Sequence, residues 1–220
     1  VRLSLRLSLS LELLQWLIFT LVALSFAVTG SGVNGLRRSL AVKNQALADA
    51  LEQVRDLAIR DDLTGLFNRR HILEVLEHQK ALADNQIYPF SVCYVDLDHF
   101  KRINDRHGHL FGDQVLVRFA ELTRRYLGDK DMAARLGGEE FLIMLPVMDM
   151  EQALTSVERL MSALRAQRFM AAPALEVTAS VGLTVVGHGE SPDEVLVRAD
   201  RLLYQAKAAG RDRIITAGPP

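Results

Sequence analysis

The segment "RLGGEEFLIMLP", residues 135–146, sets two carboxylates, Glu139 and Glu140, on a Gly137-Gly138 turn and runs them straight into an apolar, strand-like stretch. Strands that only pack a core do not normally begin with paired acids. A second acidic pair, Asp96 and Asp98, closes the apolar run "FSVCYVDLD", residues 90–98. Strand alternation puts both of these on one side. If the glycine turn is a tight hairpin beside that first strand, carboxylates from the two turns converge. Converging carboxylates repel unless cations neutralise them. Hard divalent ions with oxygen ligands suit such a cluster, and Mg²⁺ commonly takes one or two carboxylates together with substrate phosphates. Ions held this way can activate a hydroxyl nucleophile and stabilise the leaving group in phosphoryl chemistry. Taken alone, Gly-Gly-acid-acid is equally a solvated turn.

Two other stretches bear on the choice. "KAAGRDR", residues 207–213, places Lys207 and Arg211 four apart, one turn around a helix end, where a Lys and Arg pair suits a polyphosphate. The same pair also reads as favourable charge at a helix C-terminus. "HFKRINDRHGHLFGDQ", residues 99–114, follows the acidic strand and is rich in amide, carboxylate and imidazole groups able to read a base edge. Its plainer reading is a capped loop between two helices.

These groups need a scaffold. Helical spacing is read over residues 69–84, from about 100 to 106, over 112–127 (Val115, Leu116, Phe119, Leu122, Tyr126), over 150–167 (Leu154, Val157, Leu160, Met161, Leu164) and over 192–208. Strands are read over 90–98, on both sides of the glycine turn between 132 and 146, over 175–186, and in "RIIT", residues 213–216. Alternating helices and strands with one central hairpin predict an α+β sandwich, a sheet with helices packed on it. In the break "RDDLTGLFNRR", residues 60–70, Asp61 and Asp62 end the preceding helical pattern, and Thr64-Gly65 and Asn68 supply turn and capping chemistry that separates this domain from what precedes it.

The 220 residues suffice for one such domain and an addition. A net charge of -1 advertises no global basic field for nucleic acid. The single cysteine, Cys93, excludes an intramolecular disulfide, fits a reducing cytoplasm, and reads as a buried, inert thiol. Residues 13–29, "LLQWLIFTLVALSFAVT", carry no charge, and with Leu9 and Leu11 give an expected transmembrane helix over about 9–29. The larger Arg/Lys cluster (Arg37, Arg38, Lys43) lies C-terminal to it, placing that side in the cytoplasm. Leu40, Leu47 and Val54, with Leu36, Lys43, Ala50 and Leu57, then form a heptad stripe that wants a second helix, most simply its own copy. The expected division is a membrane segment at 1–35, a dimerising coiled-coil linker at 36–60 and an α+β domain at 61–216.

The blocks "DDLTGLFNR", "DLDHFKRIND", "HGHLFGD", "RLGGEEF" and "ADRLLYQAKAAGRDR" stand in one order and together resemble the GGDEF-domain diguanylate cyclases, in the GGEEF form. The resemblance implies a fold like the palm of polymerases and nucleotidyl cyclases, a central antiparallel sheet with surrounding helices. It implies condensation of two GTP into cyclic di-GMP and two pyrophosphates. By position, Asp96, the Leu97 carbonyl and Glu139 would hold Mg²⁺ or Mn²⁺, two ions per half-site. Glu139 would be the base near the attacking 3′-hydroxyl, with Glu140 supporting the metal site. Asn104 and Asp113 would read guanine, with His109 near the nucleoside. Lys207 and Arg211 would hold the β and γ phosphates, which the main chain at Phe100 and Lys101 would cradle.

One GTP per domain and a two-fold product imply an obligatory homodimer. The expected setting is a bacterial inner membrane with the catalytic domain in the cytoplasm, acting on cyclic di-GMP receptors only indirectly. Many relatives carry an inhibitory product site, Arg-x-x-Asp. Here the tetrapeptide is Gly128-Asp129-Lys130-Asp131, so Asp131 stands but the guanidinium is missing. The competing expectation is a catalytically silent module that binds GTP or cyclic di-GMP.

Overall fold

The computed structural model describes residues 15–25, 40, 42–47, 49–50, 56, 58–86, 90–146 and 149–218. The chain divides into two compact units, Val1–Arg55 and Asp56–Pro220. In the first, residues 15–25 are helical and exposed. The expected membrane helix over 9–29 lies in good part outside the described residues, and no described helix is long and apolar enough to cross a membrane. Of the heptad positions, Leu40, Lys43, Leu47 and Ala50 are described; all four are helical and exposed. Leu36, Val54 and Leu57 lie outside the described residues.

The second unit carries β1 (Phe67–Asn68), α1 (Arg69–Gln86), β2 (Phe90–Leu97), α2 (Phe100–His107), α3 (His109–Tyr126), β3 (Met132–Gly137), β4 (Glu140–Pro146), α4 (Met150–Ala166), β5 (Ala179–Val185), α5 (Pro192–Ala208) and β6 (Ile214–Ala217). The described strands form one sheet in the order β1-β3-β4-β2-β5-β6. The expected antiparallel sheet is confined to its centre, β3-β4-β2-β5. Both margins are parallel, β1 on β3 and β6 on β5, so the sheet is mixed. The β1 strand has two residues, too few for a hydrophobic alternation to show. The strand expected over 175–186 starts only at Ala179. The "capped loop" at 107–111 is a helix–helix junction made by one residue, Gly108 at φ 85°, which ends α2 and starts α3.

The period of two sorts the sheet into two faces. Cys93, Val95 and Leu97 of β2 and Phe141, Ile143 and Leu145 of β4 pack against Ile103, Val115, Leu116 and Phe119 of α2–α3 and Val157, Leu160 and Leu164 of α4. On the opposite face Phe90, Val92, Leu142 and Met144 meet Ile72 and Leu76 of α1 and Val195 of α5. Burial at Cys93 pushes its thiol far up, which keeps it inert.

Helix α5 is seated on β5 more closely than any side chain allows. A Cβ on Gly182 would lie 2.1 Å from the Ala199 carbonyl and 2.5 Å from the Leu203 nitrogen. Both are backbone atoms, so the helix itself would have to move. Arg198, buried on the same helix, donates to Thr184 Oγ1 at 2.6 Å, to the Val185 carbonyl at 2.8 Å and to the Glu190 carboxylate. A Ser191–Glu194 capping box with Pro192 in the first turn fixes where the helix begins. Gly182→Ala is therefore expected to cost at least about 1–3 kcal/mol, the usual range for overpacking, read as a lowered denaturant midpoint.

Candidate active site

The acidic strand end and the glycine hairpin do come together. Asp96 stands opposite Glu140 on β4 and Ser180 on β5. The Leu97 N–H donates to the Glu139 carbonyl at 3.2 Å, so the hairpin tip is hydrogen-bonded to the strand beside it. Gly137 and Gly138 adopt φ of 148° and 53°, the second in the left-handed region that glycine enters freely. Arg135, unremarked in the sequence, braces this turn. Its Nε donates to the Gly138 carbonyl at 2.9 Å and its Nη1 reaches Asp61 Oδ1 at 3.3 Å. Asp61 also accepts from the Thr64 N–H and hydroxyl. Burial raises the Asp61 carboxyl, but the Thr64 bonds and the Arg135 charge outweigh it, and the net shift is downward.

Asp96 is the most confined of the three acids. It is 7% exposed, and the Lys207 ammonium sits 2.7 Å from its Oδ2. Burial raises its carboxyl above the usual range, Lys207 opposes the rise, and the Glu139 and Glu140 charges add to it. Glu139 and Glu140 are half-buried. Among the described residues no three His, Cys, Asp or Glu side chains form a ready-made metal cage. Two carboxylates, Asp96 and Glu139, with the Leu97 carbonyl are instead the sparse, hard-oxygen set that Mg²⁺ accepts when phosphates complete the shell. A cation already rests on Asp96, and the acids around it favour more positive charge. The residues present fit the ion.

Asp98 does not join this cluster. It is 4% exposed, and its carboxylate accepts from Ser180 Oγ at 2.7 Å, Thr178 Oγ1 at 2.8 Å and the Asp212 N–H at 3.0 Å. It keeps to the side of the sheet that alternation gives it, since its partner Ser180 stands opposite Asp96. Its oxygens are taken by these three donors, so it braces the site and adds no free acid to it.

Helix α2 begins beside the acidic strand end. His99 precedes it at φ 57°, and its carbonyl takes the N–H groups of Arg102 and Ile103. The N–H groups of Phe100 and Lys101 are left at the helix start, where anions bind. One turn on, Asn104 has a buried side-chain oxygen, Oδ1, without a hydrogen-bond partner. It lies against Gly112, whose hypothetical Cβ would stand 1.8 Å from that oxygen. Phe100 is buried beside it, and Asp113 is half-buried next to Gly112 in the chain. His109, the first residue of α3, is exposed. An unsatisfied buried acceptor in a cradle kept open by glycine lacks the hydrogen-bond donor that such groups normally have.

Lys207 lies in the last turn of α5, but Arg211 lies beyond the helix, not one turn along it. The chain leaves α5 in a Schellman motif. Gly210 stands at φ 113°, its N–H donates to the Lys207 carbonyl at 3.4 Å, and the Arg211 N–H donates to the Ala206 carbonyl at 3.0 Å. At the far end of the domain, Asp131 Oδ2 accepts from the Gly128 N–H at 2.7 Å, so the one retained member of the inhibitory motif holds its own turn closed.

A sequence model of the family described as "Diguanylate cyclase, GGDEF domain" matches residues 58–213. The diguanylate cyclase DgcP of Pseudomonas aeruginosa is 41% identical over 174 residues, 79% of this chain and 26% of that protein. The response regulator PleD of Caulobacter vibrioides is 37% identical over 173 residues, 77% of this chain and 38% of that protein. The chain thus spans only a minor part of the length of these curated relatives. Among solved structures, the coiled coil and GGDEF domain of DgcB from Caulobacter crescentus, in complex with c-di-GMP, superposes with a TM-score of 0.76 at 30% identity, covering 84% of this chain and 99% of that one.

Proposed function

Since the chain belongs to the GGDEF family of diguanylate cyclase domains, we propose that it condenses two GTP into cyclic di-GMP with release of two pyrophosphates. The single observation that carries this is the orphaned Asn104 oxygen against Gly112. A buried acceptor suits a donor N–H on the base-pairing edge of guanine, whereas adenine offers a ring acceptor there.

In this reading Asn104 and Asp113 hold the base, and His109 flanks the nucleoside. The N–H groups of Phe100 and Lys101 meet the phosphates, with Lys207 and Arg211 on their distal end. Lys207 then exchanges one anion for another, leaving the Asp96 carboxylate as GTP arrives. Asp96, Glu139 and the Leu97 carbonyl would hold Mg²⁺ or Mn²⁺, which when bound neutralises phosphate charge and lowers the barrier to attack. Glu139 receives the proton of the 3′-hydroxyl as that oxygen attacks the α-phosphorus of the other GTP and pyrophosphate departs. Glu140, opposite Asp96, keeps the local field negative. Positioning and charge neutralisation carry most of the acceleration, as in other phosphoryl transfers.

Each domain offers one guanine cradle, and the product has two-fold symmetry, so two copies must face each other. The heptad residues between 36 and 60 are suited to hold them, raising the local concentration of the second half-site. The apolar run at 13–29 is suited to tie the pair to a membrane, with the catalytic domain on the cytoplasmic side.

The test is incubation of the full chain with GTP and Mg²⁺, with products resolved by chromatography. Cyclic di-GMP, formed at a rate per protein that rises with protein concentration, is the expected result. GTP binding without turnover, even in a forced dimer, would replace the reading with a silent nucleotide-binding module. With Gly128 in place of the arginine and Asp131 closing its own turn, added cyclic di-GMP is expected to leave the initial rate unchanged. Inhibition that Asp131→Ala abolishes would contradict this.

A further inference from the structure

The chain beyond α5 is strained where it carries Arg211. Arg211 and Asp212 stand in succession at φ 64° and 47°, and neither is a glycine. Each such residue costs on the order of 1 kcal/mol and persists only where its surroundings over-determine it. Three contacts do so. The Arg211 N–H is taken by the Ala206 carbonyl. The Asp212 N–H is taken by Asp98 Oδ2 at 3.0 Å. The Asp212 carboxylate is gripped by Arg165 Nε of α4, at 2.8 Å and 3.0 Å to its two oxygens.

Asp98 is held in turn by Ser180 and Thr178 on and before β5, and its own N–H donates to the Thr178 carbonyl at 2.8 Å. It follows Asp96 by two residues. One buried carboxylate therefore links the acidic strand end, the β5 strand and the cationic turn.

We propose that Asp98 and Arg165 are positioning residues that hold Arg211 toward the distal phosphates of bound GTP. Neither touches substrate in this account. Asp98 fixes the turn from the sheet side through the Asp212 N–H, and Arg165 from the α4 side through the Asp212 carboxylate. The strain at Arg211 and Asp212 is the cost of aiming a guanidinium from outside the helix. The inference rests on the GTP reading above.

The experiment measures binding of 3′-deoxy-GTP, which lacks the attacking hydroxyl, and of GMP, which lacks the distal phosphates, to the full chain with Mg²⁺. Arg165→Ala is expected to raise the Kd for 3′-deoxy-GTP about tenfold, the size of one charge-assisted contact, and to leave GMP binding unchanged. In an Arg211→Ala background the same substitution should have no further effect on 3′-deoxy-GTP, because its consequence is already absent. Asp98→Ala should show the same pattern more strongly. Arg165 is partly exposed, so its variant reports even if Asp98→Ala fails to fold. Equal weakening of both ligands, or full additivity with Arg211→Ala, would show a merely structural role and overturn the proposal. So would unaltered 3′-deoxy-GTP binding in Arg165→Ala. Failure of the parent to bind either nucleotide would instead overturn the GTP reading itself.

Discussion

Asp96→Asn is expected to lower kcat for cyclic di-GMP formation by at least about 10²–10³-fold, the loss typical of removing one preorganised electrostatic contact to a transition state. The substitution keeps the shape of a 7% exposed side chain and deletes only its charge. That charge has two successive partners in the proposed cycle, the Lys207 ammonium at 2.7 Å and then the metal. Without it the hard-oxygen set falls to one carboxylate and one carbonyl. Lys207, partly exposed, returns to solvent at little cost.

Stability should behave differently from activity. Burial, with Glu139 and Glu140 nearby, raises the Asp96 carboxyl in the metal-free fold, against the pull of Lys207. A carboxylate whose folded value is raised takes up a proton more readily in the folded state. The metal-free parent therefore gains stability as the pH falls from that raised value to the ordinary 3.8, and loses it as the pH rises through the same window. Asp96→Asn lacks this dependence. The checks are initial rates with GTP and denaturant midpoints of both proteins across the acid range. Activity within a few-fold of the parent would remove Asp96 from the site.

The contrast between Asp96 and Asp98 shows how far sequence reaches. Buried strands declare themselves by apolar runs, so β2 and the β3–β4 hairpin were legible, and with them the meeting of Asp96 and Glu140. The helices were legible from their spacing, though α3 begins three residues early because a single glycine suffices as a junction. What a side chain does beyond a strand end depends on which hydroxyls and N–H groups happen to face it. Ser180, Thr178 and Asp212 lie 80 or more residues from Asp98 along the chain, and no local pattern announces them. Arg135 was hidden for the same reason, since its partner Asp61 read only as a helix breaker. The parallel margins of the sheet were also illegible, because two residues of β1 carry no period and the direction of β6 is set by the path of α5.

Asn104→Leu should separate stability from function in one substitution. The Asn104 oxygen is buried without a partner, a state that costs about 1–3 kcal/mol relative to a satisfied or apolar group. Leucine has nearly the same branched shape and no polar atom to strand. The variant is expected to unfold at the same or a higher denaturant concentration than the parent. Its kcat/KM for GTP should nevertheless fall by about 10²–10⁴-fold, because a site built to bond a donor loses heavily when the acceptor is gone. Gly112→Ala is the complementary change. Its Cβ would stand 1.8 Å from Asn104 Oδ1 and 3.1 Å from Phe100 Cζ, so the amide must leave its cradle and the buried ring must shift. That variant should lose both stability and GTP turnover. If Asn104→Leu instead weakened the fold and left GTP turnover intact, the unpaired oxygen would be a packing element, and guanine recognition would have to be sought elsewhere in the domain.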